Sequence, residues 1–261
     1  MHLTNIYFDT YGYEWYHIIN RDGKEEVMMK QKFNLRRECA KTLVLLIGLA
    51  IAHLGVTLFL LSNLGSDPYN VFVQGVFRTL QRSFGLPFLT HGYTHIIISF
   101  LVILILLLTD RSYIKLGTVL CMVFGGPIID FYTYLFGDLI HDGLSVVLRG
   151  GISVVGCVVL AYGMTIVIKS EAGTGPNDLI AIVISDKVRK KFSLIRILVD
   201  ITFVGGGYLL GGVFGIGTLF CAFLVGPVAG IFLPVNERMI KSIYGCIMSE
   251  KRKVRSIENK D

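Results

Sequence analysis

Charge is scarce in this chain, and it is missing in blocks rather than thinned throughout. Of 261 residues, 17% are Asp, Glu, Lys or Arg, against about 25% in an average soluble domain. Residues 42–62 and 150–168 carry none of the four. An apolar run of about 20 residues is long enough to cross the hydrocarbon core of a bilayer, so a soluble α/β core does not fit. Cysteine is also sparse: the five present form no C-x-x-C pair and no Cys/His cluster, which leaves neither a zinc site nor a disulfide framework. No G-x-S-x-G, H-E-x-x-H, P-loop or dinucleotide-binding glycine motif occurs, so nothing marks an enzyme or a cofactor. The N-terminal stretch 1–27 lacks the basic, apolar, cleavage-site order of a signal peptide. It reads as a disordered tail or an over-long start ahead of Met28–Met29.

What is present is a duplication. Residues 117–127 and 217–227 share the frame G-T-x-x-C-x-x-x-x-G-P, 100 residues apart. Upstream, Gly55, Thr57, Ser62, Gly65 and Pro68 match Gly163, Thr165, Ser170, Gly173 and Pro176 at a constant offset of 108. The chain is therefore read as an all-α, polytopic helical membrane protein of two homologous repeats. Its parts are a polar and basic tail (1–40), repeat one (41–137), a linker (138–149), repeat two (150–236) and a second basic tail (237–261).

In each half an apolar span (about 42–62 and 146–168) meets a glycine–proline break, L-G-S-D-P-Y-N or E-A-G-T-G-P-N-D. A short apolar stretch follows (about 69–80 and 177–185), then two more spans (93–109 and 114–137; 194–210 and 213–234). Ten to fourteen apolar residues suit a re-entrant segment better than a span. If both short stretches are re-entrant, each half has three spans and the repeats are inverted; if both cross, each half has four and the repeats are parallel. The charge rule places basic loops in the cytoplasm. It favours the inverted scheme, with Arg111, Lys115 and the Lys187–Lys191 cluster inside and the acidic linker outside. Arg78 and Arg82 argue the other way. Both schemes put the two termini in the cytoplasm. The basic clusters have no context for nucleic-acid binding.

The breaks are the best place for a site. Each ends one helix and starts another near Pro68 or Pro176, with Ser66 or Asp67, and Thr174, available as caps. Paired interrupted helices at matching positions of two halves point to a transporter's substrate site. Asn70 and Asp178 are equivalent, two residues after each proline. Arg196 and Asp200 share one helix face, and a charge at the depth of Asp200 must face protein or water; it reads either as the ion-pair partner of Arg196 or as a coupling group. The candidate set is Gly65, Ser66, Asp67, Asn70, Gly173, Thr174, Asn177, Asp178, Arg196 and Asp200, serving a small molecule or ion. Asp130 is a weaker candidate, and His53 reads as a packing histidine or a proton relay. The G-T-x-x-C frame reads as a close-packing face, with Gly126–Pro127 and Gly226–Pro227 kinking or ending its helix. Gly205–Gly207, Gly211 and Gly212 read as a hinge or a tightly packed stretch. A competing class is a non-transporting membrane scaffold or regulator acting through the basic tails.

The breaks S-N-L-G-S-D-P-Y-N and S-E-A-G-T-G-P-N-D, each followed by G-T and G-P, resemble the YczE/YyaS/YitT family of bacterial membrane proteins over about residues 40–236. The resemblance implies an integral cytoplasmic-membrane protein with a suggested transport role, and it brings no catalytic residues.

Overall fold

The computed structural model describes residues 3–8, 13–19, 25–31, 35–86 and 88–258, with side chains within 35–245 apart from positions 87 and 193. The basic cluster 251–255 thus lies outside the described side chains. The chain divides into two units, Lys41–Gly245 and the remainder, Met1–Ala40 with Cys246–Asp261.

In the smaller unit, β1 (Leu3–Phe8), β2 (Tyr13–Ile19) and β3 (Glu25–Gln31) form an antiparallel sheet in the order β1-β2-β3. The 1–27 segment, read above as disordered or over-long, holds β1, β2 and the first three residues of β3. Its Trp15, Tyr16, Ile18 and Ile19 are residue types that favour a pleated backbone.

The helices are α1 (Leu35–Ser62), α2 (Pro68–Phe84), α3 (His91–Thr109), α4 (Leu116–Phe136), α5 (Val146–Lys169), α6 (Pro176–Val188), α7 (Phe192–Leu209) and α8 (Ile216–Glu258). Among the described residues α1, α3, α4, α5 and the Ile216–Gly245 part of α8 are long and apolar enough to cross a membrane. Their outer faces are apolar too: Leu108, Val147 and Phe223 stand exposed without a protein partner face, as expected where lipid is the solvent. Helix starts and stops match the apolar spans closely. Gly126–Pro127 and Gly226–Pro227 end no helix: Pro127 lies inside α4, and Pro227 and Pro234 lie inside α8. Proline removes one backbone bond, and a buried span tolerates that when neighbouring groups close the gap.

α1 and α5 form the centre, with half of each apolar window buried. They run antiparallel. Lys41 pairs with Glu171 at 3.6 Å at one end, and Ser62 Oγ meets Ser153 Oγ at 2.9 Å at the other. Between these ends the backbones touch through glycine. A methyl on Gly55 would stand 2.5 Å from the Leu160 nitrogen, and one on Gly48 2.8 Å from Ile166 Cγ2. Gly163 lies equally close to Ala52, and Gly156 faces Gly55 and Leu58. Each α1 contact recurs with the partners exchanged, since Gly48 and Gly55 correspond to Gly156 and Gly163.

The remaining helices follow from this pair. α4 runs alongside α1 in the same direction, with Gly117 beside Leu45, Cys121 against Leu45 and Leu49, and Gly125 beside His53. α8 runs with α5 in the same way, through Cys157 and Cys221, the Tyr162–Phe232 ring pair and Asn236 Nδ2 donating to Thr165 Oγ1 at 2.6 Å. α3 is antiparallel to α4. Asp130 accepts from Thr90 Oγ1 at 2.5 Å and from the Gly92 N–H at 2.9 Å, and Gly126 lies against Gly92. Asp130 thus ties the start of α3 to α4, which makes it a structural clamp.

Each short helix packs on both halves: α2 meets α3 through Tyr69, Val73 and Ile98, α6 meets α7 through Asp178 and Arg196, and each also reaches the opposite half. α2 lies on α7 through Tyr69, Phe72 and Phe203, through Gly75 against Gly207, and through Thr79 Oγ1 donating to Leu210 O at 2.7 Å. α6 lies on α3 through Leu106, Leu179 and Val183, and Tyr113 donates to Asp186 at 2.9 Å. Of the glycine-rich stretch in α7, Gly207 and Gly212 are packed against Val71; close packing is the role this structure gives them.

Candidate functional site

The two breaks have one backbone. Asn63 and Glu171 both adopt positive φ (50° and 60°), as do Gly65 and Gly173 (110° and 148°). The residues before the prolines repeat as well, Asp67 at φ −62°, ψ 155° and Gly175 at φ −61°, ψ 153°. Both extended residues feed a proline at the first helical position, where its missing N–H costs nothing. Gly65 and Gly173 are required twice over. Their φ is closed to most L residues, and a methyl on Gly65 would stand 2.9 Å from the Gly215 nitrogen, one on Gly173 2.9 Å from the Thr118 nitrogen.

Each break docks on the G-T frame of the other half. Gly217 N–H donates to Leu64 O at 2.8 Å, and Gly117 N–H donates to Ala172 O at 3.1 Å. The frame read as a packing face is thus a receptor for the opposite break. Thr118 and Thr218, the equivalent hydroxyls of the frame, are buried and their Oγ1 atoms lack hydrogen-bond partners.

The breaks then turn back toward the middle of the α1–α5 pair. Asp67 lines a cavity with Leu49, Ala52, His53 and Val56, about two to three helical turns back from Ser62, or roughly 15 Å. Five linking residues in extended form reach that far. The same cavity, about 100 Å³, is lined on the other side by Leu160, Met164, Val167, Gly175, Pro176, Asn177 and Asp178. The starts of α2 and α6 therefore face one another across a small chamber walled by α1 and α5.

Asp67 caps α2. Its carboxylate accepts from the Asn70 N–H at 3.3 Å, from Asn70 Nδ2 at 2.9 Å and from Ser66 Oγ at 3.3 Å. Asn70 Oδ1 in turn meets His91 Nε2 at 3.1 Å. The second break differs. Its cap residue is Gly175, with no side-chain cap bond. Thr174, expected as a cap, stands one residue too early, because the helix begins at Pro176. Asp178, in the first turn of α6, takes an ion pair with Arg196 Nη1, and Arg196 Nε bonds Asp200 Oδ2 at 3.1 Å. The i,i+4 pair expected on α7 is present and extends to a third member from the break. Asn177 Nδ2 donates to Asp178 Oδ1 at 3.2 Å.

Asp67, Asn70, Asn177 and Asp178 of the candidate set line the chamber. Ser66 is buried beside it, Gly65 and Gly173 build its backbone, and Arg196 and Asp200 reach it through Asp178. Residues outside the set also line it: His53, Tyr69, His95, Cys121 and Met164. Tyr69 OH pairs with Ser99 Oγ at 2.8 Å. The His53 and His95 rings stand 5.6 Å apart, and Tyr69 and His95 5.4 Å. His53 Nδ1 lies 2.9 Å from Leu49 O, so Nδ1 donates and Nε2 keeps a lone pair. Only the mid-span histidine His53 had drawn notice in the sequence; His95 and Tyr69 read there as ordinary helix residues.

Comparison with known proteins places the chain among membrane proteins. It is 29% identical over 195 residues to the uncharacterized membrane protein YczE of Bacillus subtilis (strain 168), covering 74% of this chain and 85% of that one. It is 28% identical over 195 residues to the uncharacterized protein YyaS of the same organism, covering 74% and 92%. An uncharacterized protein of Haemophilus influenzae is 26% identical over 196 residues, covering 75% and 84%. No solved structure matches. Residues 39–234, which hold both breaks and both G-T frames, match the model of a family of unknown function (DUF6198), and the chain belongs to that family.

Proposed function

We propose that this protein moves a small solute across the bacterial cytoplasmic membrane. The substrate site is the chamber between the two interrupted helices, and the two repeats are inverted. The observation that carries this reading is the meeting of the α2 and α6 starts at one cavity. Broken helices whose starts converge near the middle of the membrane are where transporters hold substrate.

Inversion is supported by the antiparallel run of α1 and α5, which are equivalent helices of the two repeats. The exchanged contacts support it as well, since a two-fold relation swaps partners: Gly217–Leu64 with Gly117–Ala172, and α2 on α7 with α6 on α3. α2 and α6 are then re-entrant, each descending as an extended break and returning as a helix. Charge gives the orientation. One end of the bundle gathers Lys41, Arg111, Lys115, Lys187, Arg189, Lys190 and Lys191 and is cytoplasmic; the other holds Asp138 and Asp142. Arg78, Arg82 and Arg149 face outward in this scheme, and Arg78 and Arg149 have local partners. Arg78 donates to Gly211 O at 3.2 Å and Asn63 Oδ1 at 3.4 Å, and Arg149 pairs with Asp142 at 2.5 Å.

A test that needs no substrate uses a single cysteine at Met164 in a cysteine-free background. A transporter exposes the chamber to each side in turn, so a membrane-impermeant methanethiosulfonate reagent labels Met164→Cys when added from either side. A scaffold keeps the chamber closed. Labelling from neither side contradicts the transport reading.

A further inference from the structure

The chamber accepts hydrogen bonds and offers few. His53 Nε2 holds a lone pair because Nδ1 is committed to Leu49 O. Asp67 and Asp178 contribute carboxylate oxygens, and Asn177 turns its amide nitrogen to Asp178. The Asn70 amide is spent between His91 and Asp67, and the Tyr69 hydroxyl on Ser99. His95, 5% exposed, lines the same chamber with an Nδ1 that has no partner.

Charge points the same way. The one guanidinium at the site, Arg196, is held by Asp178 and Asp200. Among the described residues no cation stands within ion-pair distance of Asp67. Helix starts attract anions, but the protein supplies these itself, as Asp67 on α2 and Asp178 on α6. With about half a positive charge at each helix start, three carboxylates against one guanidinium leave roughly one negative charge. An anionic solute meets repulsion there. The chamber is small, about 100 Å³, and suits a compact solute. Imidazole lone pairs accept from N–H donors and suit alkali ions, which prefer oxygen, less well.

We propose that the chamber binds a small ammonium-type cation, ammonium or a short protonated primary amine, with Asp67 as counter-ion, His53 Nε2 as acceptor and the unpartnered His95 Nδ1 beside them. This rests on the reading of the chamber as a solute site, and the test separates the two. The thermal midpoint of the purified full-length protein is followed with methylammonium chloride, and with tetramethylammonium, potassium and sodium chloride at equal ionic strength. Methylammonium raises the midpoint in a saturable way; tetramethylammonium, with the same charge and no N–H donor, does not. Asn caps a helix as well as Asp, so Asp67→Asn keeps the fold, and it weakens the methylammonium effect by about tenfold or more, the range for a lost charged hydrogen bond. Equal stabilisation by methylammonium and tetramethylammonium, stabilisation by sodium or potassium alone, or no response except to pH would each overturn the proposal. Methylammonium binding without two-sided labelling at Met164→Cys would keep the cation site and sink transport; two-sided labelling without methylammonium binding would do the reverse.

Discussion

The backbone N–H of Gly217 donates to the carbonyl of Leu64 at 2.8 Å, which fastens the break of one repeat to the G-T frame of the other. Gly117 and Ala172 make the same bond in the reverse sense at 3.1 Å. Each break is therefore fastened to the half to which it does not belong, while its helix also bonds its own half, through Tyr69–Ser99 for α2 and Asp178–Arg196 for α6. A shift of one repeat against the other moves both helix starts, and with them both sides of the chamber.

The break glycines should be the least replaceable. Gly65→Ala and Gly173→Ala combine a disfavoured φ with a collision against the opposite frame, at a cost of roughly 2 kcal/mol or more each. Gly85 also has positive φ but no neighbour within 4 Å, so Gly85→Ala costs about 1 kcal/mol. Thermal midpoints by fluorescence-detected size exclusion rank the three; equal losses contradict the docking role of the breaks.

The α1–α5 crossing depends on glycine in the same way. Gly55→Val and Gly163→Val force the two backbones apart and lower the yield of monodisperse protein sharply. Gly150→Val on α5, where no atom lies within 4 Å, leaves it unchanged. Chromatographic profiles of the three variants give the comparison.

Arg196 neutralises carboxylates from two helices. Arg196→Ala strands Asp178 and Asp200, all three partly buried, and costs about 1.5–3 kcal/mol, the range for hydrogen bonds to charged groups. The double variant Arg196→Ala with Asp178→Asn removes one of the two stranded charges and recovers part of that loss. A double-mutant cycle on unfolding midpoints measures the coupling, and additive losses would show that the ion pair is incidental.

Asp130 satisfies Thr90 Oγ1 and the Gly92 N–H at the start of α3. Asp130→Ala removes both bonds and costs about 1–2 kcal/mol, without altering methylammonium binding, since Asp130 does not line the chamber. A change in binding at full stability would assign it to the site.

Most helix limits were legible because glycine, proline and blocks of charge punctuate the apolar spans. The pairing of Arg196 with Asp200 was legible from spacing on one helix. Its second partner, Asp178, was not, because the bond joins two elements whose approach depends on the fold. The same holds for the docking of each break: the offsets of 108 and 100 pointed to two copies but not to frames that exchange partners. His95, Tyr69 and Met164 gave no signal, since one polar or aromatic residue on an apolar helix looks the same facing a cavity or a neighbour. Spacing left open whether Gly126–Pro127 and Gly226–Pro227 kink or end their helices, because proline ends helices more readily in water than in a packed membrane bundle.

The inverted arrangement bears on all of this, and equivalent positions at the two break mouths test it most directly. Asn63 lies within hydrogen-bond reach of Asp142 at one end of the α1–α5 pair, and Glu171 pairs with Lys41 at the other. Single cysteines at Asn63 and Glu171, in a cysteine-free background, are exposed to a membrane-impermeant maleimide in intact cells and in inside-out vesicles. Labelling of Asn63→Cys in cells and of Glu171→Cys in inverted vesicles is the predicted result; labelling of both from the same side would contradict the account.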